Sequence, residues 1–408
     1  MKMTNNMTKH FTQSAGKQTG FSLVEVMVGL VIGLIGTIVI FQVFAISEGQ
    51  KRTTTAGNDA NQSGILALYT LERHLRMGGG GIVNAQNALG CLINASYENA
   101  VVLPTAGLPA PFNTLGTNVR AAPLLIQDGG GAAPDNIIVM YSNSSIAGVP
   151  INFTGNGVTA NVSNTVGFKK GDIILAASQF QVGKPEVPRP CFIGQMTSNP
   201  VAGDDVIGLD STGKHNAGGG INTGGQAFDG INLGQAGLLG FGVTSSATGR
   251  IELVSYNFLT GGAVQPIADN IVNLQALYGV DNGATGVAED SIIDAWVPPT
   301  GNWSYASLTN GSILASDRLR KIKAIRLALV ARSALPEKRE GGNPVSPANW
   351  TLFATGPGAG TGTVSGTLTG DQLDYRYKIF ETVIPLRNTL IQQCTIEDRS
   401  RGFCNPTL

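Results

Sequence analysis

The sequence predicts an α+β protein: one long N-terminal helix, spanning a membrane in its first half, packed on a mostly antiparallel β head with long glycine-rich loops. Three observations predict it. Residues Phe21 to Ile46 form an apolar run with no Lys, Arg, Asp or Pro and a single charge, Glu25. Apolar spacing at Ile65, Leu68, Leu71 and Leu75 then continues at the period of a helix. Beyond Ile82 the chain turns to short β-branched and alternating segments, and its 55 glycines among 408 residues point to many turns.

About 20 apolar residues cross the hydrocarbon core of a bilayer, and the run from Phe21 exceeds the apolar region of an ordinary secretory signal. No small-residue cleavage site follows it. Lys2, Lys9 and Lys17 precede it without an acid, which favours a cytoplasmic N-terminal end and an exported remainder; Lys51 and Arg52 weaken that asymmetry slightly. Glu25 is the anomaly, because an ionisable group in a membrane helix is costly and marks a functional site with a partner. Gly29, Gly33 and Gly36 share nearly one face of the helix, and small residues at such spacing let helix backbones approach closely.

Gly20-Phe21 with Glu25 as the fifth residue after Gly20, followed by the apolar tail, resembles the class III signal of type IV pilins and pseudopilins. The resemblance implies a leader, residues 1–20, cut after Gly20 by a prepilin peptidase that then N-methylates the new N-terminal Phe21. Glu25 would lie one turn from that amine, about 6 Å along the axis at 1.5 Å per residue. Opposite charges about 4 Å apart attract by about 4 kcal/mol at an effective dielectric near 20. That is comparable with the roughly 2.5–3.5 kcal/mol that insertion scales assign to an acid at mid-membrane. A neighbouring subunit's Phe21 amine is therefore the expected partner of Glu25. Many pilins carry Pro one residue after the mature N-terminus and again about twenty residues on; Ser22 and Gln42 stand there, so no kink is expected at those points.

The expected organisation is a leader (1–20), a transmembrane and filament-core helix (21–46), its periplasmic continuation (47–77) ended by Gly78–Gly81, and a β-rich head (82–408). Candidate strands are Asn136–Tyr141, Asp172–Ala177, Phe192–Thr197, Asp205–Leu209, Arg250–Leu259, Ile271–Val280, Ile322–Val330 and Arg376–Ile384. Ser316-Asp317 is a candidate helix cap. The basic cluster Arg318, Arg320, Lys321, Lys323 and Arg326 reads as a solvated strand edge, and His74 as part of a solvated helix face. Glycine-rich loops are expected at Ala217–Gly225, Gly234–Gly242 and Gly356–Gly370; residues 107–249 suggest no topology. Cys91, Cys191, Cys394 and Cys404 are an even set in an exported chain, which suggests two disulfides in one of three possible connectivities. The closeness of Cys394 and Cys404 favours their pairing and leaves Cys91 with Cys191.

Asn270–Asp281, Ile322–Ser333 and Tyr375–Asn388 resemble strands of the W-type type IV pilus assembly proteins, which are large minor pilins. That resemblance implies a low-abundance subunit that primes assembly in the inner membrane of a Gram-negative bacterium, its head in the periplasm and later at or near the pilus tip. The implied partners are other minor pilins, the major pilin, the prepilin peptidase and the assembly platform. A J-type pseudopilin of type II secretion is the alternative, although such heads are usually smaller; a tip-located adhesin or DNA-uptake receptor is another.

Enzyme chemistry is not expected. Neither a P-loop nor a G-x-S-x-G or H-E-x-x-H motif occurs, so no catalytic residue, cofactor or metal ligand is assigned. The acidic segment Asp281–Asp294 lacks EF-hand spacing and reads as a solvated loop. Without the leader's three lysines the chain keeps 24 of its 27 basic residues against 27 acidic ones, a poor balance for broad binding of nucleic acid.

Overall fold

A computed structural model describes residues 20–85, 87–144, 149–179, 189–201, 203–245, 249–283, 290–339, 341–358 and 360–390. The leader (1–19) and Cys394 and Cys404 lie outside the described residues. The chain divides into two units, residues 1–55 and 56–408.

The helix runs unbroken from Leu23 to Leu75, through Gln42 and through the polar stretch after Ile46. In its portion from Ala56 onward the buried face is Ala56, Ala60, Ala67, Leu71 and Leu75, with Leu68 partly buried. This differs from the expected stripe at one end: Ile65 is 60% exposed. The reason is Gly64, whose missing side chain makes a notch for the ring of Phe380, so that a Cβ there would fall 2.0 Å from Phe380 Cε2. Small residues seat this part of the helix closely, and leucines take over one turn later. His74 is not on a solvated face. Its ring lies 5.5 Å from that of Phe241 and 6.0 Å from that of Tyr141, and its Nδ1 is 2.8 Å from Thr70 O.

The head contains three larger sheets and a hairpin, nearly all antiparallel. The strands between residues 92 and 234, other than Leu124–Gln127 and Asn136–Tyr141, build an eight-stranded sheet, largely in the stretch that suggested no topology from sequence. Its one parallel pair joins Leu92–Tyr97 to Pro190–Gln195 and brings Cys91 and Cys191 together as a disulfide, Cα to Cα 5.7 Å. A five-stranded sheet takes, in order, Gln265–Asp269, Ile251–Asn257, Gly237–Ser245, Asn136–Tyr141 and Leu124–Gln127. The C-terminal sheet runs Ala295–Val297, Ile271–Val280, Ile322–Arg332, Tyr377–Pro385. Residues of the helix and all three sheets share one core; a second cluster around Phe153, Met196 and Ile221 lies within the eight-stranded sheet's own segment.

Three expectations are corrected. Gly234–Gly242 is not a loop but largely strand, and its glycines make room for neighbours. A Cβ on Gly237 would meet the Tyr141 ring, and one on Gly240 the rings of Phe112 and Phe258. The loop at Gly356–Gly370 likewise contains a strand, Val364–Thr367, paired with Asn349–Leu352. The short helix before the central C-terminal strand is Ile313–Lys321, and it is capped by Ser312, whose hydroxyl accepts from Ala315 N, rather than by Ser316-Asp317.

Closing a loop across a sequence separation of 100 residues, the Cys91–Cys191 disulfide restricts the unfolded chain strongly. Cys91→Ala with Cys191→Ala is expected to lower head stability by about 4 kcal/mol. Denaturant unfolding of the detergent-solubilised chain measures it; an unchanged midpoint would contradict the expectation.

Candidate assembly helix and the sheet behind it

Gly20 and Phe21 precede the helix and are exposed. Ser22, where a proline was absent from the expected pattern, starts the helix: its carbonyl accepts from Glu25 N and Val26 N at 3.0 and 3.1 Å, and its hydroxyl accepts from Val24 N at 3.2 Å. Glu25 sits in the first turn, where a carboxylate faces the positive end of the helix dipole. At about 100° per residue, Glu25, Gly29, Gly33 and Gly36 fall on one stripe roughly 80° wide. The expected packing glycines are therefore aligned with the acid. Beyond the helix's own neighbouring backbone, nothing among the described residues lies within 4 Å of where a Cβ would stand on any of the three. The helix contains an 18-residue stretch long and apolar enough to cross a membrane, none of it buried within the chain. Thr37 returns its hydroxyl to the carbonyls of Gly33 and Leu34, at 3.1 and 2.8 Å, and so adds no unpaired polar group.

The C-terminal sheet supports the other end of this helix through Phe380. Its basic cluster is not a solvated edge: Arg320, Lys321, Lys323 and Arg326 are buried. Ile322–Arg332 is an inner strand, flanked by Ile271–Val280 and Tyr377–Pro385, so its cations need partners inside the protein. Arg320 and Lys321 share Asp317 at 3.2 and 3.1 Å, and Lys323 Nζ donates to Thr389 O at 3.0 Å. Arg326 pairs with Glu381 at 2.8 Å, donates to the carbonyls of Thr355 and Pro357, and stacks 4.9 Å over Phe353. Glu381 in turn accepts from Phe353 N at 2.8 Å. This network fixes the loop after Leu352 against the last strand and leaves no cationic face for nucleic acid at this cluster.

Asp135 is a buried acid that sequence reasoning missed. It accepts from Gly129 N at 3.0 Å and Ala276 N at 2.9 Å, and its burial pushes its pKa up to about 7. Beside it, Tyr278 is fully buried and its hydroxyl accepts from Ile126 N at 2.5 Å. In the acidic segment, Asp281 accepts from Ser291 N at 2.7 Å and Asp294 from Asn282 N and Gly283 N at 3.0 and 2.7 Å. Both carboxylates thus close a loop whose residues 284–289 lie outside the described ones. Among the described residues no group of three or more His, Cys, Asp or Glu side chains is placed to hold a metal ion.

Comparison with known proteins agrees with this geometry at both ends of the chain. Residues 16–41 match the model of the prokaryotic N-terminal methylation motif, and residues 241–388 match that of the type IV pilus-assembly protein W family. The two matches are consistent with a type IV pilus minor pilin of the W type. They support a pilin-related role, membrane anchoring and association with a pilus. The W-type match covers the whole C-terminal sheet, including the Arg326–Glu381 pair and Phe380, whereas the eight-stranded sheet falls between the two matched stretches. No curated protein and no solved structure matched the chain.

Asp135 generates a pH prediction. A carboxyl whose folded pKa is raised stabilises the fold below its unfolded value, near 3.8, and that contribution is lost as pH rises through about 7. Asn at this position does not titrate. The stability of Asp135→Asn relative to wild type is therefore expected to rise between pH 4 and pH 8, by on the order of 4 kcal/mol at about 1.4 kcal/mol per pKa unit. The buried His215, whose pKa burial lowers, is common to both proteins and cancels in the difference. Unfolding midpoints across that range measure it; a constant difference would contradict the assignment.

Proposed function

We propose that this protein is a minor pilin that primes or caps the type IV pilus. Its leader, residues 1–20, is removed by a prepilin peptidase after Gly20, and Phe21 becomes an N-methylated N-terminus. Residues 21–46 anchor the subunit in the inner membrane and later join the filament core. The helix continues through residues 47–77 into a head, residues 82–408, that faces the periplasm of a Gram-negative cell and then the pilus tip. Its partners are the other minor pilins, the major pilin and the inner-membrane assembly platform.

The observation that carries this reading is the stripe of Glu25, Gly29, Gly33 and Gly36, which has no partner among the described residues. A carboxylate in an apolar helix needs a counter-charge, and glycines three and four apart need an apposed backbone to be useful. A second helix with a free amine at its start supplies both: its Phe21 amine meets Glu25 while its backbone lies along the glycines. The buried Cys91–Cys191 disulfide fits a head held in an oxidising compartment. Exposed Ile65, Leu66 and Tyr69 extend an apolar surface along the helix after Ala56, as a subunit of a helical bundle requires. The bulk of the eight-stranded sheet favours a terminal position, since a tip subunit need leave no room for another above it.

Deletion of the gene is expected to remove most surface pili, and complementation with Glu25→Val is expected not to restore them although the variant still inserts and is still cut. Electron microscopy of pili and immunoblots of membrane and sheared-pilus fractions read both outcomes. Normal incorporation of Glu25→Val into pili would refute the role of this carboxylate.

A further inference from the structure

Among the described residues the C-terminal strand of the head is a long open edge. Tyr377–Pro385 has nine residues and, among the described residues, pairs on one side only, with Ile322–Arg332. The other sheet edges are short: Ala100–Leu103 has four residues, Val206–Gly208 three, Leu124–Gln127 four, Ala295–Val297 three, and Gln265–Asp269 five with Pro266 inside it. Proteins keep exposed edges short, charged, bulged or proline-bearing unless the edge is used. Here Lys378 and Pro385 stand at the two ends of the strand, and the stretch between them, Ile379 to Ile384, carries one charge, Glu381, whose two carboxylate oxygens are engaged inward by Arg326 and Phe353 N.

The register says which backbone groups are open. Leu386 N donates to Lys323 O, and Ser333 N donates to Arg376 O, both at 2.8 Å; these two hydrogen-bonded pairs bracket the ladder. Antiparallel pairs alternate, so even-numbered residues of the strand bond inward and Tyr377, Ile379, Glu381 and Val383 present their N–H and C=O groups outward. Among the described residues no backbone group bonds to that side. The side chains of Ile379 and Val383 flank Glu381 and are 43% and 37% exposed, while Phe380 faces the helix at Gly64.

Resting on the proposed pilin role, we infer that this edge is completed by an extended strand from the head of a different pilus subunit. The groups it offers are those of strand addition: a run of main-chain donors and acceptors for affinity, and two apolar side chains on one face for selection. A second copy of this chain fits poorly. Antiparallel pairing that overlaps the whole strand sets Glu381 against Glu381, and like charges directly opposite destabilise a sheet. The complementary strand carries apolar or β-branched residues opposite Ile379 and Val383 and a neutral or basic residue opposite Glu381. Because Phe380 on the same strand seats the helix at Gly64, the docked strand lies beside the element that enters the bundle.

Two measurements on the full-length chain in producing cells test this. A photo-reactive phenylalanine replaces Val383, and the cross-linked product is identified by mass spectrometry. Attachment to another pilin subunit through a segment of its head supports the inference; attachment to a second copy, to residues 391–408 of the same chain, or to nothing overturns it. In parallel, Ile379→Pro removes one outward N–H and leaves the inward ladder intact, whereas Ile379→Thr keeps that N–H. Ile379→Pro is expected to retain the Cys91–Cys191 disulfide and a protease-resistant head while surface pili fall at least tenfold; Ile379→Thr is expected to retain pili. Wild-type piliation by Ile379→Pro, in a strain where deletion of the gene abolishes pili, would overturn the edge inference and leave the pilin role standing. Unchanged piliation on deletion would instead remove the pilin role, and the cross-link would still decide the edge.

Discussion

A lone carboxylate in the otherwise uncharged apolar run from Phe21 to Ile46 sets the terms for the proposed assembly role of this protein. Among the described residues Glu25 meets no cation, and the helix around it presents side chains of Leu, Val and Ile to its surroundings. Such a group is tolerable near a membrane interface or beside a partner's positive charge, and costly elsewhere. The glycines aligned with it narrow the choice, because they permit a second backbone to come close on the same side. In the proposed reading, an amine liberated at Phe21 of a neighbour would satisfy the charge and the geometry together, and it would exist only after a leader had been removed. In this account maturation and assembly are linked by one electrostatic contact.

The head is organised to hold the later part of the helix firmly. Ala56, Ala60, Gly64 and Ala67 keep the backbone close, and Phe380 fills the notch at Gly64. Phe380 belongs to a strand whose other face is tied by Glu381 to Arg326, and Arg326 holds the loop around Thr355 and Pro357. Arg326 is buried while Glu381 keeps 25% of its side chain exposed, so removing Glu381 leaves a buried guanidinium without its counter-charge, which is destabilising. The network therefore favours one placement of the last strand, the strand that both seats the helix and bears the open edge. The eight-stranded sheet shares the core, and Arg189, just before its strand Pro190–Gln195, donates to Ser316 in the helix that leads into the central C-terminal strand.

Much of the fold was legible because periodicity and special residues carry it. The apolar run, the terminating glycines and strands such as Asn136–Tyr141 and Ile271–Val280 follow from local spacing, and the Cys91–Cys191 pairing from cysteine arithmetic. What was not legible depended on neighbours distant in sequence. Arg320, Lys321, Lys323 and Arg326 look like a solvated face until the strand they lead into is placed between two others. Gly237 and Gly240 look like loop glycines until the rings of Tyr141 and of Phe112 and Phe258 are set against them. His74 looks polar until Phe241 and Tyr141 pack on it, and Asp135 gives no local sign that backbone amides 141 and 6 positions away will enclose it. The candidate assembly residues Glu25, Gly29, Gly33 and Gly36 lie within a single helical stretch, where spacing alone places them on one face, and Gly20 and Phe21 come just before it.

The most direct measurement is the N-terminal chemistry of the protein isolated from membranes or sheared pili. Intact-mass and N-terminal peptide analysis should find a chain that begins at Phe21 with a methyl group on its amine and lacks residues 1–20. A chain that still begins at Met1 would leave Glu25 without the amine it is proposed to meet, and would contradict the account at its base.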